Sequence, residues 1–185
     1  MRRMIRTLLP CVMVAAACSH NPPTGPASLQ SCTGPNGTNC TTTAKSAWIE
    51  PTHAGYMING TATNYLGWLV QYTDATAGTE CSDDLQPTTT IKIITTDVET
   101  STHTETDLMP AQVPVVAQLP DTGITTEIAV VIVPSDVSAA FENGMISLTT
   151  TTATETDGSL DVFGGDSMNS SIELKGDFYA HKCFN

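Results

Sequence analysis

Few side chains in this 185-residue chain are of types that do chemistry. The densest group of oxygen donors is Asp157-Gly158-Ser159-Leu160-Asp161-Val162-Phe163-Gly164-Gly165-Asp166. Carboxylates at Asp157, Asp161 and Asp166, with glycines that admit backbone carbonyls, are the donors a Ca²⁺ ion takes. The spacing fits neither an EF-hand loop nor a nonapeptide calcium repeat, and a turn–strand–turn unit accounts for the same residues without an ion. The histidines His20, His53, His103 and His181 are scattered. His181 and Cys183 share a face if they lie on a strand, but zinc needs three or four converging ligands. The chain contains no G-x-S-x-G elbow, H-E-x-x-H pair, P-loop or G-x-G-x-x-G turn. No catalytic residue is assigned, and no cofactor is expected.

Cysteine is the remaining reactive type, and its reading depends on the start of the chain. Arg2, Arg3 and Arg6 precede an apolar run from Leu8 to Ala17. Residues 1–17 read as an export signal peptide. The run is too short to span a bilayer, which takes about 20 apolar residues. Export places the other cysteines in an oxidising compartment. The junction Val14-Ala15-Ala16-Ala17-Cys18-Ser19 resembles the lipobox of bacterial lipoproteins, with Ala15 where Leu is usual. Ala15-x-Ala17 also fits ordinary signal-peptidase cleavage. The resemblance implies lipidation of Cys18 and attachment to a membrane through that N-terminal lipid. Ser19, rather than Asp, after the cysteine implies the outer membrane, with the domain facing the periplasm or the surface. Parity agrees: Cys11 leaves with the leader, and once Cys18 is lipidated Cys32, Cys40, Cys81 and Cys183 can pair completely. Cys32 and Cys40 share a short Gly/Pro/Asn loop, so the expected bonds are Cys32–Cys40 and Cys81–Cys183.

Charge narrows the partners. The whole chain carries −12, and loss of three leader arginines takes it to −15, with only Lys45, Lys92, Lys175 and Lys182 left as cations. Nucleic acids require clustered cations to neutralise phosphates, so no nucleic-acid partner is expected. The acidity reads first as solubility, and second as a match for a basic protein or a cation.

Residues 18–44 are rich in Asn, Pro, Gly, Ser and Thr, with Leu29 the exception. They read as a lipidated N-terminus and disordered tether, because such composition cannot bury enough surface to offset ordering entropy. Residues 45–185 read as a single β domain. Ile172, Leu174, Gly176, Phe178 and Ala180 alternate with Glu173, Lys175, Asp177, Tyr179 and His181. Leu66 to Tyr72 alternate in the same way, and Ile91/Ile93, Val113–Leu119, Ile146/Leu148 and Leu160/Val162 add further strands. Ile128 to Val133 is apolar at both parities, as in a central strand covered on both faces. Turns are expected at Asn59-Gly60, Asp121-Thr122-Gly123, Asn143-Gly144, Asp157-Gly158 and Gly164-Gly165. The one helix candidate is a turn or two capped by Ser135 and running through Ala139, Ala140 and Phe141, ended by Asn143-Gly144. The fold class is therefore all-β, an antiparallel sandwich or small barrel with at most one short helix.

Threonines alternate at 100–106 and at 150–156. They resemble the T-x-T surfaces of β-structured ice-binding proteins, but no regular repeat follows, and solvated strand ends account for them. Trp48, Tyr56, Tyr65, Trp68 and Tyr72 read as core rather than as a glycan or protein contact surface. The function expected is a lipid-anchored envelope protein with a binding or structural role and a protein or glycan partner. The alternatives are an acidic periplasmic inhibitor or immunity-type protein, and an envelope hydrolase using carboxylates such as Asp157, Asp161 or Asp166.

Overall fold

The computed structural model describes residues 24–33, 37–81, 84–99, 108–120, 123–135, 139–165 and 171–183. Nine strands follow one another: β1 (Gly25–Thr33), β2 (Asn39–Ile58), β3 (Thr61–Thr73), β4 (Thr89–Val98), β5 (Ala111–Pro114), β6 (Ile128–Ile132), β7 (Ala140–Thr151), β8 (Glu155–Gly165) and β9 (Ser171–Lys182). They form one sheet in the order β5-β7-β8-β9-β1-β2-β3-β4-β6. The strand ladders are antiparallel except where β2 meets β9 in parallel at Trp48↔His181 and Ile49↔Lys182. β1 thus sits between β9 and β2 only as far as its start at Gly25, beyond which those two strands touch directly.

The two ends of the sheet nearly meet. Just after β5, Val115 bridges Ala129 of β6, and Val116 N–H donates to Ala129 O at 2.9 Å. Val115 N–H donates to Gly144 O of β7 at 3.1 Å. One short segment therefore closes the sheet into a barrel, which satisfies edge groups that would otherwise template further strands.

Alternation along the strands fills the interior. Val70 and Tyr72 of β3, Ile91 and Ile93 of β4, Ile146 and Leu148 of β7, Leu160 and Val162 of β8 and Phe178 and Ala180 of β9 are buried in one cluster. Each Val, Leu, Ile and Phe among them contributes about 1.5–3 kcal/mol by leaving water. Trp48, Tyr65, Trp68 and Tyr72 are all buried, as expected of core aromatics. A second cluster joins Ala54, Tyr65, Ile94 and Ile128 to Ile124, whose N–H donates to the Tyr65 hydroxyl at 3.5 Å. A third packs Trp48 against the Cys81–Cys183 bond, with Leu85 at its edge.

Beyond β9, β2 and β3 run on as an arm, with β4 alongside as far as Tyr65↔Val98 and Ile58 near the tip packed against the second cluster. β2 leaves β9 at Ile49 and runs on with β3 to the turn at Asn59-Gly60. Both turn residues have positive φ, 47° and 82°, the conformation that suits a two-residue hairpin matching strand twist.

Several expectations are corrected. Residues 25–33 and 39–44 are barrel strands, not tether, and Leu29 is fully buried. β1 needs little side-chain volume because ladders with β2 and β9 hold it on both sides. The helix candidate is not formed where it is described, in keeping with at most one helix: Ser135 lies in a turn, Ala140 and Phe141 open β7, and 136–138 lie outside the described residues. Asn143-Gly144 is not a turn but lies inside β7 at a bulge, where Gly144 takes φ +122°. Asp157-Gly158 lies within β8, and Gly164-Gly165 ends that strand, paired with β7 and β9. β6 sits at the end of the strand order and leaves Ile132 exposed, so it is not covered on both faces along its length. The second threonine run spans a β7–β8 hairpin, with Thr152 Oγ1 accepting from Glu155 N–H at 3.0 Å, so it forms no ladder. The first run, and Asp121-Thr122, lie outside the described residues. No helix long and apolar enough to cross a membrane occurs among the described residues.

Candidate functional site

The expected site residues do not assemble. Cys18, His20, His103 and Asp166 lie outside the described residues. Asp157 and Asp161 both point outward from β8, four positions and thus about 13 Å apart along the strand, too far to share one ion. No group of three His, Cys, Asp or Glu among the described residues could hold a metal. His53 Nδ1 lies 3.2 Å from Glu99 Oε2 on the arm. His181 Nε2 lies 3.7 Å from Glu155 Oε1, and its ring meets that of Tyr179 edge-on at 5.2 Å. Tyr179 donates a hydrogen bond to Glu155. That bond first, then desolvation and the charges of Glu155 and Asp157, pushes its pKa up to about 12. Cys183 bonds to Cys81 and Cys32 to Cys40, as paired from the sequence, so Cys183 is no zinc ligand beside His181.

What the fold builds instead is a cavity of about 360 Å³ at one end of the barrel. Its apolar lining comes from Val133 after β6, Ala139 and Phe141 at the start of β7, and Ile172 and Leu174 at the start of β9. Its hydroxyls come from Ser31 of β1, Thr43 of β2, Thr88 and Thr89 at the start of β4, and Ser135 after β6. These positions meet because β1, β3 and β6 end where β2, β4, β7 and β9 begin. The Cys32–Cys40 bond, next to Ser31, pins the β1–β2 hairpin at this end.

Two rim hydroxyls have their protons engaged. Thr88 Oγ1 donates to Tyr72 O at 3.3 Å, and Thr43 Oγ1 donates to Leu29 O at 3.4 Å. Both then present oxygen lone pairs as acceptors. No ionisable side chain lines the cavity. Asp161, Lys175 and Asp177 stand on the outer face of β8 and β9, around a separate polar groove. The cavity therefore suits an uncharged molecule with an apolar body and a few hydrogen-bond donors. Its volume falls in the lower part of the usual range for small-ligand sites, about 300–1,000 Å³.

Below the rim, Tyr72 packs edge-on against Phe178 with centroids 5.8 Å apart. Its hydroxyl is buried with no hydrogen-bond partner among the described residues. Burial first, and the charge of Asp177 second, raises its pKa well above the ordinary tyrosine value. Toward the opposite end Lys182 is buried with its ammonium 4.8 Å from the Trp68 ring centroid, a cation–π contact.

Sequence reasoning missed the cavity. Its hydroxyls are ordinary Ser and Thr in a threonine-rich chain, drawn from separate stretches, and no motif joins them. No protein-family pattern, curated protein sequence or solved structure shows significant similarity to this chain.

Proposed function

We propose that this chain is an exported, lipid-anchored envelope protein whose barrel binds a small, uncharged, largely apolar molecule in the end cavity. The observation that carries the binding role is the cavity itself: an apolar lining, a rim of hydroxyls with free lone pairs and no ionisable group, in a chain that is otherwise strongly acidic. Barrel mouths are favoured places for such sites because strand ends leave the interior open there. Export is supported by two disulfides in the folded chain, by the basic and apolar leader, and by cysteine parity. Anchoring at Cys18 in the outer membrane is supported by the Ala-Ala-Ala-Cys-Ser junction.

The test of the binding role is titration with a neutral fluorescent apolar probe, N-phenyl-1-naphthylamine, against the wild type and Ala139→Phe. Ala139 is half-buried at the cavity lip, so the added ring fills the opening. A well-placed apolar obstruction costs about 1–3 kcal/mol, so the probe should bind roughly tenfold more weakly or worse. Equal affinity in the two proteins refutes the cavity as the binding site.

A further inference from the structure

We infer that the β2–β3 arm is a membrane-contact element, its tip seated on the phospholipid surface to which Cys18 is attached. This rests on the reading of Cys18 as lipidated and adds a second point of contact.

β1 runs antiparallel to β2, with Gly25 opposite Ala47. The chain before Gly25 therefore leaves the barrel at the end from which the arm projects. Thr24 fixes the exit, exchanging hydrogen bonds with Thr79 O and Gly78 N–H at 2.7 and 2.8 Å.

From Cys18 to Thr24 the backbone spans at most about 20 Å when fully extended. From Ala47, level with the exit at Gly25, to Ile58 near the tip, β2 advances about 36 Å at strand rise. A lipid at Cys18 thus holds the exit closer to the bilayer than the tip lies beyond the exit. The tip is therefore within reach of the surface.

Positions 51–73 contain no Asp, Glu, Lys or Arg, in a chain with 19 acidic residues. Met57 near the tip is 57% exposed and Val98, beside the arm on β4, is 42% exposed. The remaining exposed tip residues, Asn59, Gly60, Thr61 and Ala62, are small and neutral. Glu99, whose N–H donates to Asn64 O, is paired with His53. Such a surface enters a lipid headgroup layer without stranding a charge. Its few apolar groups hold weakly alone, and the lipid supplies the effective concentration that makes the contact persist.

The test uses the full-length lipidated protein in phosphatidylcholine vesicles containing brominated lipid. Met57→Trp reports the arm tip, and Thr41→Trp reports an exposed site at the opposite end of the barrel. Trp48 and Trp68 are buried and give the same background in both. Bromine quenches at short range, and a tip seated in the headgroup layer lies about 5–10 Å into the headgroup/acyl boundary, so the tryptophan at position 57 should be quenched roughly twofold or more beyond that at position 41. Metabolic labelling with an alkyne fatty acid is read on the same samples. A labelled protein with equal quenching at the two positions overturns the arm contact while leaving the anchor standing. An unlabelled wild type with a free amine at Cys18 overturns both.

Discussion

The two disulfides close loops of very different size, so their removal should differ in cost. Cys32 and Cys40 are 8 positions apart, and Cys81 and Cys183 are 102 apart. The chain-entropy relation gives about 2.5 kcal/mol for the short loop and about 4.7 kcal/mol for the long one. Local structure widens the gap. Cys32 already faces Cys40 in the β1–β2 ladder, flanked by Ser31↔Thr41 and Thr33↔Asn39, so the hairpin keeps its register without the bond. Cys81 and Cys183 are both buried against Trp48, and their bond holds the loop after β3 to the end of β9. Cutting it also loosens that packing. The perturbations are Cys32→Ala with Cys40→Ala, and Cys81→Ala with Cys183→Ala, so that no thiol is left to mispair. For a domain of this size 1 kcal/mol corresponds to roughly 2–4 °C in Tm. The long-loop pair should lower Tm by about 10–20 °C and the short-loop pair by about 5–10 °C. Calorimetry, or circular dichroism at 218 nm (a wavelength that reports strands, ~215–220 nm), follows both. A short-loop variant that loses as much as the long-loop variant would refute the reasoning, as would non-reducing peptide maps showing any other pairing.

Tyr72→Phe removes a buried hydroxyl with no partner, so the variant should match or exceed the wild type at pH 7, by up to about 1–3 kcal/mol in denaturant titration. The same tyrosine makes stability fall at high pH. Its folded pKa is raised, so the native state keeps a proton that the unfolded chain releases above about pH 10, and stability drops by up to about 1.4 kcal/mol per pH unit from there. Tyr72→Phe should flatten that decline, and a decline unchanged by the substitution would assign it elsewhere. Tyr179, raised to about 12, adds a loss in the same sense between roughly pH 10 and 12, which Tyr179→Phe should remove. No retention of DNA or RNA is expected at about 0.15 M salt, where 7 basic residues face 19 acidic ones; measurable binding in a filter assay would contradict the charge reasoning.

The parts of the fold that could be read from the chain are those whose signal is local. Period-two alternation marked β3, β4 and β9, and placed Trp68, Val70 and Tyr72 on the inner face. Asn59-Gly60 announced its hairpin because few other pairs tolerate two positive φ angles in succession. The cysteine pairing followed from parity and loop length. The misread segments are those whose partners are remote. β1 looked like a tether because it holds one large apolar residue, Leu29, and its stability comes from backbone bonds to strands that follow it by a dozen and by about 145 residues. Gly144 and Gly158 looked like turn residues, yet one accommodates a bulge and the other lies under the Phe178 ring across β9.

The amino-acid sequence by itself determined an acidic, disulfide-bonded, all-β chain with no recognisable catalytic motif. Tertiary structure decided that the sheet closes through Val115 and Val116, that the strand ends leave a cavity ringed by Ser31, Thr43, Thr88, Thr89 and Ser135, and that an uncharged arm projects beside the chain's entry. The physical reason is that alternation encodes which face of a strand is buried, whereas the identity of its neighbour is set by hydrogen bonds and packing between residues far apart in the chain.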